Sequence, residues 1–503
     1  MRTETVLLQT TTVDYPLTVW AQLRQAWSEP DQEAPLSVGL ELLRRVPARA
    51  QAGAVHLLLR EGELLDIRLE DPPFAPLGLA VDLGTTKIAA FLVDLITGEQ
   101  LAADGIMNPQ IPYGEDLMSR LAYALSGEKA RAELSLVAAQ GIDCLMAALL
   151  AAAGRAREEV YELVIGGNPA MHHLLLRLPV EQLGRAPYVP AISSPLLCPA
   201  ADLGIQGAPQ AQVHLLPAVA GFIGGDHLAM ILGADLHLAR KIVLGLDIGT
   251  NTEIVLVHEG QLLSCSCASG PAFEGAHIHQ GMRAVEGAIS RVRMDSGGME
   301  IHYETIGKTR PRGFCGSGIL DGVAELVRLG IVSGRGLLDK NHARVRLFGQ
   351  AGLAFSLVAG AESGAGREIV ITQKDISEIQ LAKGAVAAGI EILLQVGKVD
   401  LQQLDQIVVA GAFGTHLDIE SAIRVGLLPD LPRERFRQVG NAAGVGAQTI
   451  LLSASRRREV VALSRRLRCL ELTRRREFSG VFARALRFPQ AFAFRPANER
   501  PIS

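Results

Sequence analysis

One stretch of the chain occurs twice. Gly78-Leu-Ala-Val-Asp82-Leu-Gly84-Thr85-Thr86-Lys87-Ile-Ala-Ala-Phe-Leu-Val-Asp94 is matched by Leu244-Gly-Leu-Asp247-Ile-Gly249-Thr250-Asn251-Thr252-Glu253-Ile-Val-Leu-Val257. Each copy reads as an apolar strand ending in Asp, a Gly-Thr turn, and a second apolar strand. An internal repeat constrains the fold before any single element does. Here it implies two related lobes whose equivalent hairpins face one cleft.

The turn has readable chemistry. Gly lets the backbone approach an anion closely, and successive N–H groups in such a turn form an anion-binding nest. The Thr hydroxyls add donors, and Asp is a hard oxygen ligand suited to Mg²⁺, directly or through water. One such hairpin is as readily an ordinary Gly turn. Two in register, followed by a third motif, point to a nucleotide's phosphates held between lobes. The third motif is Ile407-Val-Val-Ala410-Gly411-Ala412-Phe413-Gly414, a buried strand running into a Gly-rich turn on which a base and ribose could lie.

In this order the three motifs resemble phosphate 1, phosphate 2 and adenosine of the ASKHA superfamily, the group of acetate and sugar kinases, Hsp70 and actin. Four further stretches narrow the resemblance: Gly166-Gly-Asn168-Pro-Ala-Met-His172-His173, Gly270-Pro-Ala-Phe-Glu274-Gly275, Gly313-Phe-Cys315-Gly316-Ser317-Gly318 and Asn441-Ala-Ala-Gly444-Val-Gly446. Together they resemble the ASKHA-type reductive activators of corrinoid proteins over roughly residues 78 to 490. The resemblance implies an α/β fold: a small N-terminal α+β domain, then a duplicated actin/Hsp70/sugar-kinase-like core of two lobes. The expected division is 1–77 for the small, middle-like domain and linker, 78–240 for lobe I, and 241–503 for lobe II with an Arg-rich end.

Composition bounds the rest. The chain has 503 residues, 48% hydrophobic, with 52 Gly, which suits an α/β protein of two or three domains. Aromatics are 4% and net charge is −4, so neither a base-stacking surface nor a drive toward nucleic acid or membrane is evident. No run reads as a transmembrane helix and the N-terminus lacks a secretion signal, so a cytoplasmic location is expected. The cysteines, Cys144, Cys198, Cys265, Cys267, Cys315 and Cys469, form no Cys-x-x-Cys pair and no plant-type iron–sulfur spacing. Members of the resembled family often carry an N-terminal [2Fe–2S] domain. No iron–sulfur cluster is expected in this chain.

Taken in order, Thr5 to Val13 reads as a strand, and Leu17 to Trp27 and Leu36 to Val46 as helices. Val55–Leu59 and Leu64–Leu69 flank a hairpin at Glu61-Gly62-Glu63, and Asp71 to Pro76 reads as a stiff linker. Ala130–Ala153 has a long helical pattern. Asn168 should cap a helix with Pro169 at its first position. His172 and His173 read first as core or surface histidines. Asp226, after Gly224-Gly225, is either a cap or a residue behind the metal. Cys265 and Cys267 share a strand face and read as small strand residues. Glu274 is a candidate for polar work near the phosphates, with a helix-starting cap as its rival. The Arg-rich run from Arg456 to Arg487 reads as solvated helix faces, or else as a dock for an acidic partner.

The expected cofactors are ATP and Mg²⁺. Asp82 and Asp247 would hold the metal and orient water, and Gly84, Thr85, Thr86, Lys87, Gly249, Thr250 and Asn251 would hold phosphates. Gly411, Ala412, Phe413 and Gly414 would meet the adenosine. The resemblance adds Gly316 and Ser317, at a helix start that would favour an anion, and Lys383 on a helix lining the adenosine side. It also implies the function, ATP-dependent reduction of a corrinoid protein from Co(II) to Co(I) for methyl transfer, with electrons from a separate low-potential ferredoxin or other donor. The alternatives are a chaperone-like ASKHA ATPase and a small-molecule kinase. A nucleic-acid or membrane partner is not expected, and a homodimer is left open.

Overall fold

The computed structural model describes residues 1–9, 17–27, 37–49, 53–68 and 74–489. Near the N-terminus, strands Arg2–Leu8, Gly53–Arg60, Glu63–Arg68 and Ser37–Val38 lie side by side in that order. Glu61 and Gly62 take positive φ, 46° and 84°, as a two-residue primed hairpin turn requires. Helices Val19–Trp27 and Leu40–Arg49 accompany the sheet, and Leu23, Leu42, Val46, Val55, Leu57 and Leu59 fill its core. The second helix starts later than its spacing suggests, because Ser37 and Val38 pair with Glu63 and Leu64 as a short strand. The expected strand residues Thr10–Val13 and linker residues Asp71–Pro73 lie outside the described residues. Leu58, Leu65 and Phe74 join the core of the next sheet, and Tyr161 Oη donates to Asp66 Oδ2 at 3.1 Å.

Two six-stranded sheets follow. The first contains Leu77–Leu83 (β1), Lys87–Asp94 (β2), Gln100–Met107 (β3), Val160–Gly167 (β4), Leu196–Pro199 (β5) and Gln212–Leu215 (β6), in the order β3-β2-β1-β4-β6-β5. The second contains Val243–Ile248 (β7), Thr252–His258 (β8), Gln261–Cys267 (β9), Gln406–Ala410 (β10), Phe436–Gln438 (β11) and Leu467–Cys469 (β12), in the order β11-β10-β7-β8-β9-β12. In both, an antiparallel meander is extended by parallel strands: β1–β4–β6 in one, β7–β10–β11 in the other. The repeat read from the sequence is thus a repeat of sheets.

The copies differ at the turn. Leu83 pairs with Ile88 across residues 84–87, whereas Ile248 pairs with Thr252 across residues 249–251. The second turn is one residue shorter. Asp82 therefore lies opposite Ala89, while Asp247 lies opposite Glu253. A one-residue change moves side chains to the other face, so the gapless alignment of the repeats fails after the turn.

Alternation along the strands sorts the cores. Leu79, Val81 and Leu83 share a cluster with Leu134, Ile142 and Leu145 of helix Glu128–Ala153 (α1), while Ala80 points to the other face. Leu244, Leu246 and Ile248 likewise pack with Ile379, Val386 and Leu393 of helix Gln373–Gly397 (α5). Between the sheets lie Gly225–Gly233 (α3), Ala442–Leu452 (α7) and Ala454–Arg466 (α8). Their Met230, Ile231, Ala447, Ile450, Val460 and Leu463 join Val164 of the first sheet and Val255 of the second in one core. Helices α3 and α7 cross backbone to backbone: a Cβ on Gly446 would lie 1.9 Å from Ala229 O, and one on Gly233 2.1 Å from Ala442 O.

By length and composition alone, α1 and α5 are long and apolar enough to cross a membrane, contrary to the reading of the sequence. Both carry rows of buried residues against the sheets, so their apolarity serves the cores.

Candidate functional site

Asp82 stands one residue before the end of β1, and Asp247 one before the end of β7. Both thus reach the carboxyl edges of their sheets, where ligands gather in α/β folds. Asp226, in the first turn of α3, is within electrostatic reach of both. Each of the three keeps a partly open face. Burial pushes the Asp82 carboxyl up to about 6, against donation from Asn441 Nδ2 to Asp82 Oδ2 at 3.2 Å and the charge of Lys87. Burial, then the charge of Asp82, pushes Asp247 up to about 7. The same causes push Asp226 to about 7, with Asp247 adding less. Glu253 is raised as well, by burial and then by Asp226 and Asp247.

Asp226 and Asp247 have no cationic side chain acting on them among the described residues, and a divalent cation would supply that charge. Among the described residues no three Asp, Glu, His or Cys side chains converge closely enough to cage a metal. Mg²⁺ is usually held by one or two carboxylates plus water and substrate phosphates.

The hydroxyls of the two turns meet. Thr86 Oγ1 and Thr250 Oγ1 are 2.7 Å apart, and Thr250 Oγ1 donates to Glu274 Oε1 at 2.7 Å. The Thr250 proton is thereby committed, so Thr86 is the donor between lobes. Asn168 Nδ2 donates to Thr85 Oγ1 at 3.1 Å, while its Oδ1 accepts from Met171 N at 3.0 Å. The expected cap of helix Pro169–Leu175 (α2) therefore also ties that helix to the first Gly-Thr turn. Asn108 Nδ2 holds Gly84 O at 2.8 Å, and Ser269 Oγ holds Gly249 O at 3.0 Å. Lys87 is exposed at the start of β2, and Asn251 is half-buried in the second turn.

The third motif abuts the second. Gly411 has φ 90°, and a Cβ there would lie 2.7 Å from Asp247 Oδ1. The backbone of Ala412, Phe413 and Gly414 opens the short helix Ala412–His416 (α6). Phe413 stacks on Phe273 with centroids 5.0 Å apart and planes 15° apart. The backbone of Phe273 in turn meets the opening of helix Gly316–Arg328 (α4). A Cβ on Gly316 would lie 1.7 Å from Phe273 O, so only Gly fits there. Glu274 thus borders the second Gly-Thr turn and Gly411 the strand end before it, while Gly316 lies behind Phe273.

Two expected site residues turn elsewhere. Ser317 Oγ donates to Ser290 O at 3.1 Å. The Lys383 amine donates to the Arg487 carbonyl and lies 5.1 Å from the centroid of the Phe488 ring, and burial pushes it down to about 7. Lys383 is held by the C-terminal tail, not by the cluster of turns. Cys315 is buried at the cap of α4, its Sγ 3.3 Å from Ile289 O.

The histidines of α2 are core residues. His173 Nδ1 lies 2.6 Å from Pro169 O, and its Nε2 accepts from Ala191 N at 2.8 Å. Burial pushes His172 down to about 3. Cys265 and Cys267 are buried against α5, where a Cβ on Gly389 would lie 2.4 Å from Cys267 Sγ. Asp226 is not a cap. Gly224 holds that position, which leaves the Asp226 carboxylate among the others.

Sequence reasoning passes over Asn441, Glu253 and His227. Asn441 stands in a recognisable motif, but its reach to Asp82 depends on α7 folding back from the second lobe onto the first. His227 Nε2 lies 2.7 Å from Ser264 Oγ, which donates to Ile254 O at 2.6 Å. The imidazole must therefore donate, which ties α3 to β9.

Comparison with known proteins agrees with this architecture. A family model described as the C-terminal domain of RACo, the ASKHA domain, matches residues 241–497. A second, described as the RACo middle region, matches residues 77–239. The chain is 34% identical over 408 residues to the corrinoid activation enzyme RamQ of Eubacterium limosum, covering 79% of this chain and 68% of that one. It is 26% identical over 410 residues to a [Co(II) methylated amine-specific corrinoid protein] reductase of Methanosarcina barkeri, covering 78% and 72%. A solved structure of a reductive activator for corrinoid, iron–sulfur protein superposes with a TM-score of 0.88 at 34% identity, over 97% of this chain and 79% of that one. The chain belongs to the RACo family of ASKHA-domain proteins.

Proposed function

We propose that this chain is an ATP-dependent reductive activator of a corrinoid protein, returning inactive Co(II) to Co(I) for methyl transfer. The observation that carries the reading is the carboxylate and hydroxyl cluster shared by two matched lobes, in a chain of this family. ATP lies between the lobes, with its phosphates on the turns at Gly84-Thr85-Thr86-Lys87 and Gly249-Thr250-Asn251 and its adenosine on residues 411–414. Asp82 and Asp247 hold Mg²⁺, directly or through water. When bound, the metal neutralises charge on the phosphate oxygens. The protein contributes mostly position and electrostatics, which phosphoryl transfer chiefly needs.

Lobe closure is coupled to the corrinoid partner. Shifting a one-electron potential by about 200 mV takes about 5 kcal/mol, close to the roughly 5.5 kcal/mol that inverts a two-state equilibrium. Differential binding of ATP to two lobe arrangements is of the right size. The electron comes from a separate low-potential ferredoxin, and the work is done in the cytoplasm. Residues 1–77, 78–240 and 241–503 serve as the N-terminal unit and the two lobes.

The test is ATP turnover by the purified chain with and without a Co(II) corrinoid protein and a reduced low-potential ferredoxin, following cobalt by absorbance. ATP-dependent Co(I), lost in Asp82→Ala and Asp247→Ala, is the expected result. Turnover indifferent to the corrinoid protein, with no Co(I), would sink the reading and favour a small-molecule phosphoryl acceptor.

A further inference from the structure

The two sheets are built alike, which makes their difference informative. In the first, the row through the turn carboxylate is Gly166, Asp82, Ala89 and Gly105. In the second it is Ala410, Asp247, Glu253 and Ser266. Directly paired residues project from the same face. The second row therefore carries a carboxylate and a hydroxyl where the first carries small residues.

The two added groups are joined: Ser266 Oγ donates to Glu253 Oε1 at 2.9 Å. Among the described residues, Oε2 accepts no hydrogen bond. The alternate residues of β9, Cys265 and Cys267, enter the second lobe's core, so Ser264 and Ser266 face the seam. Folding alone gives no reason for such a carboxylate, because burying one without a cationic partner is costly.

We infer that Glu253 is the general base of ATP hydrolysis, with Ser266 fixing Oε1 and Oε2 taking a proton from the attacking water. This rests on the reading of the cleft as an ATP-hydrolysing site. The water oxygen bonds to the γ-phosphorus as the bond from that phosphorus to the β,γ-bridging oxygen breaks. ADP leaves with the electron pair, and Glu253 passes the water's proton to solvent.

The test is single-turnover ATP hydrolysis by the full chain with Mg²⁺, with ATP affinity measured separately at equilibrium. Glu253→Gln should lower the hydrolysis rate by about 100-fold or more while Kd stays within about threefold of wild type. Glu253→Ala should regain turnover with added formate, which a merely structural role does not give. Ser266→Ala should lose about tenfold in rate at unchanged Kd, and it decides the matter if Glu253→Gln does not fold. A folded Gln variant with a rate within about threefold of wild type, or with affinity lost in step with rate, overturns the assignment. A wild-type chain that binds ATP but never hydrolyses it overturns the hydrolytic reading itself, and Glu253 falls with it.

Discussion

Asp82, Asp226 and Asp247 keep their protons in the folded cleft to higher pH than the ordinary 3.8, up to about 6, 7 and 7. A folded state that binds more protons than the unfolded one loses stability as pH rises. Their contribution is therefore fully present below about pH 4 and is lost as pH climbs through about 7. Melting temperature without divalent cation should reflect that loss, and Mg²⁺ should restore more stability near pH 7.5 than near pH 5. Thermal melts at about those two values, with Asp247→Asn alongside, check this. An Mg²⁺ shift unchanged in the variant would remove Asp247 from the ligand set. Gly411 is a second residue-level case. Its φ of 90° and the 2.7 Å from a built Cβ to Asp247 Oδ1 predict that Gly411→Ala costs about 1–3 kcal/mol. Urea denaturation reads that loss directly.

Between elements, the crossing of α3 and α7 admits no added methyl. With Ala229 O 1.9 Å from a built Cβ, Gly446→Ala should destabilise the fold by about 1–3 kcal/mol, measured by chemical denaturation. A neutral Gly446→Ala would show that the helices can part freely. This crossing is illegible in the sequence. Gly446 stands in a recognisable motif, but nothing local says that α7 leaves the second lobe to lie on the first. Strands and helices with strong periodicity are legible: α1 and the hairpin at Glu61-Gly62 lie where periodicity and turn chemistry put them. The register of the second hairpin is not, because aligning Asp82 with Asp247 hides a turn one residue shorter. That slip conceals Glu253, which the alignment sets beside Ile88 and the sheet sets beside Ala89. Lys383 misleads for a similar reason, since its partner Arg487 lies far along the chain and only the fold brings the tail to α5.

Across the whole molecule, polar contacts join the lobes beside the shared apolar core. Thr86 and Thr250 hydrogen-bond at 2.7 Å, and His277 Nε2 lies 3.8 Å from Glu115 Oε2 between the lobes. Phosphates seated on both turns would exchange the Thr86–Thr250 bond for bonds to their own oxygens. Thr86→Val should then weaken ATP binding by about tenfold, one lost hydrogen bond to a charged group, in an equilibrium titration. The most direct measurement is a crystal structure with Mg²⁺ and a non-hydrolysable ATP analogue. The interlobe site predicts phosphates between Gly84–Thr86 and Gly249–Asn251, the metal between Asp82 and Asp247, and the two threonines parted. An analogue bound to one lobe alone, with Thr86 and Thr250 still joined, would contradict it.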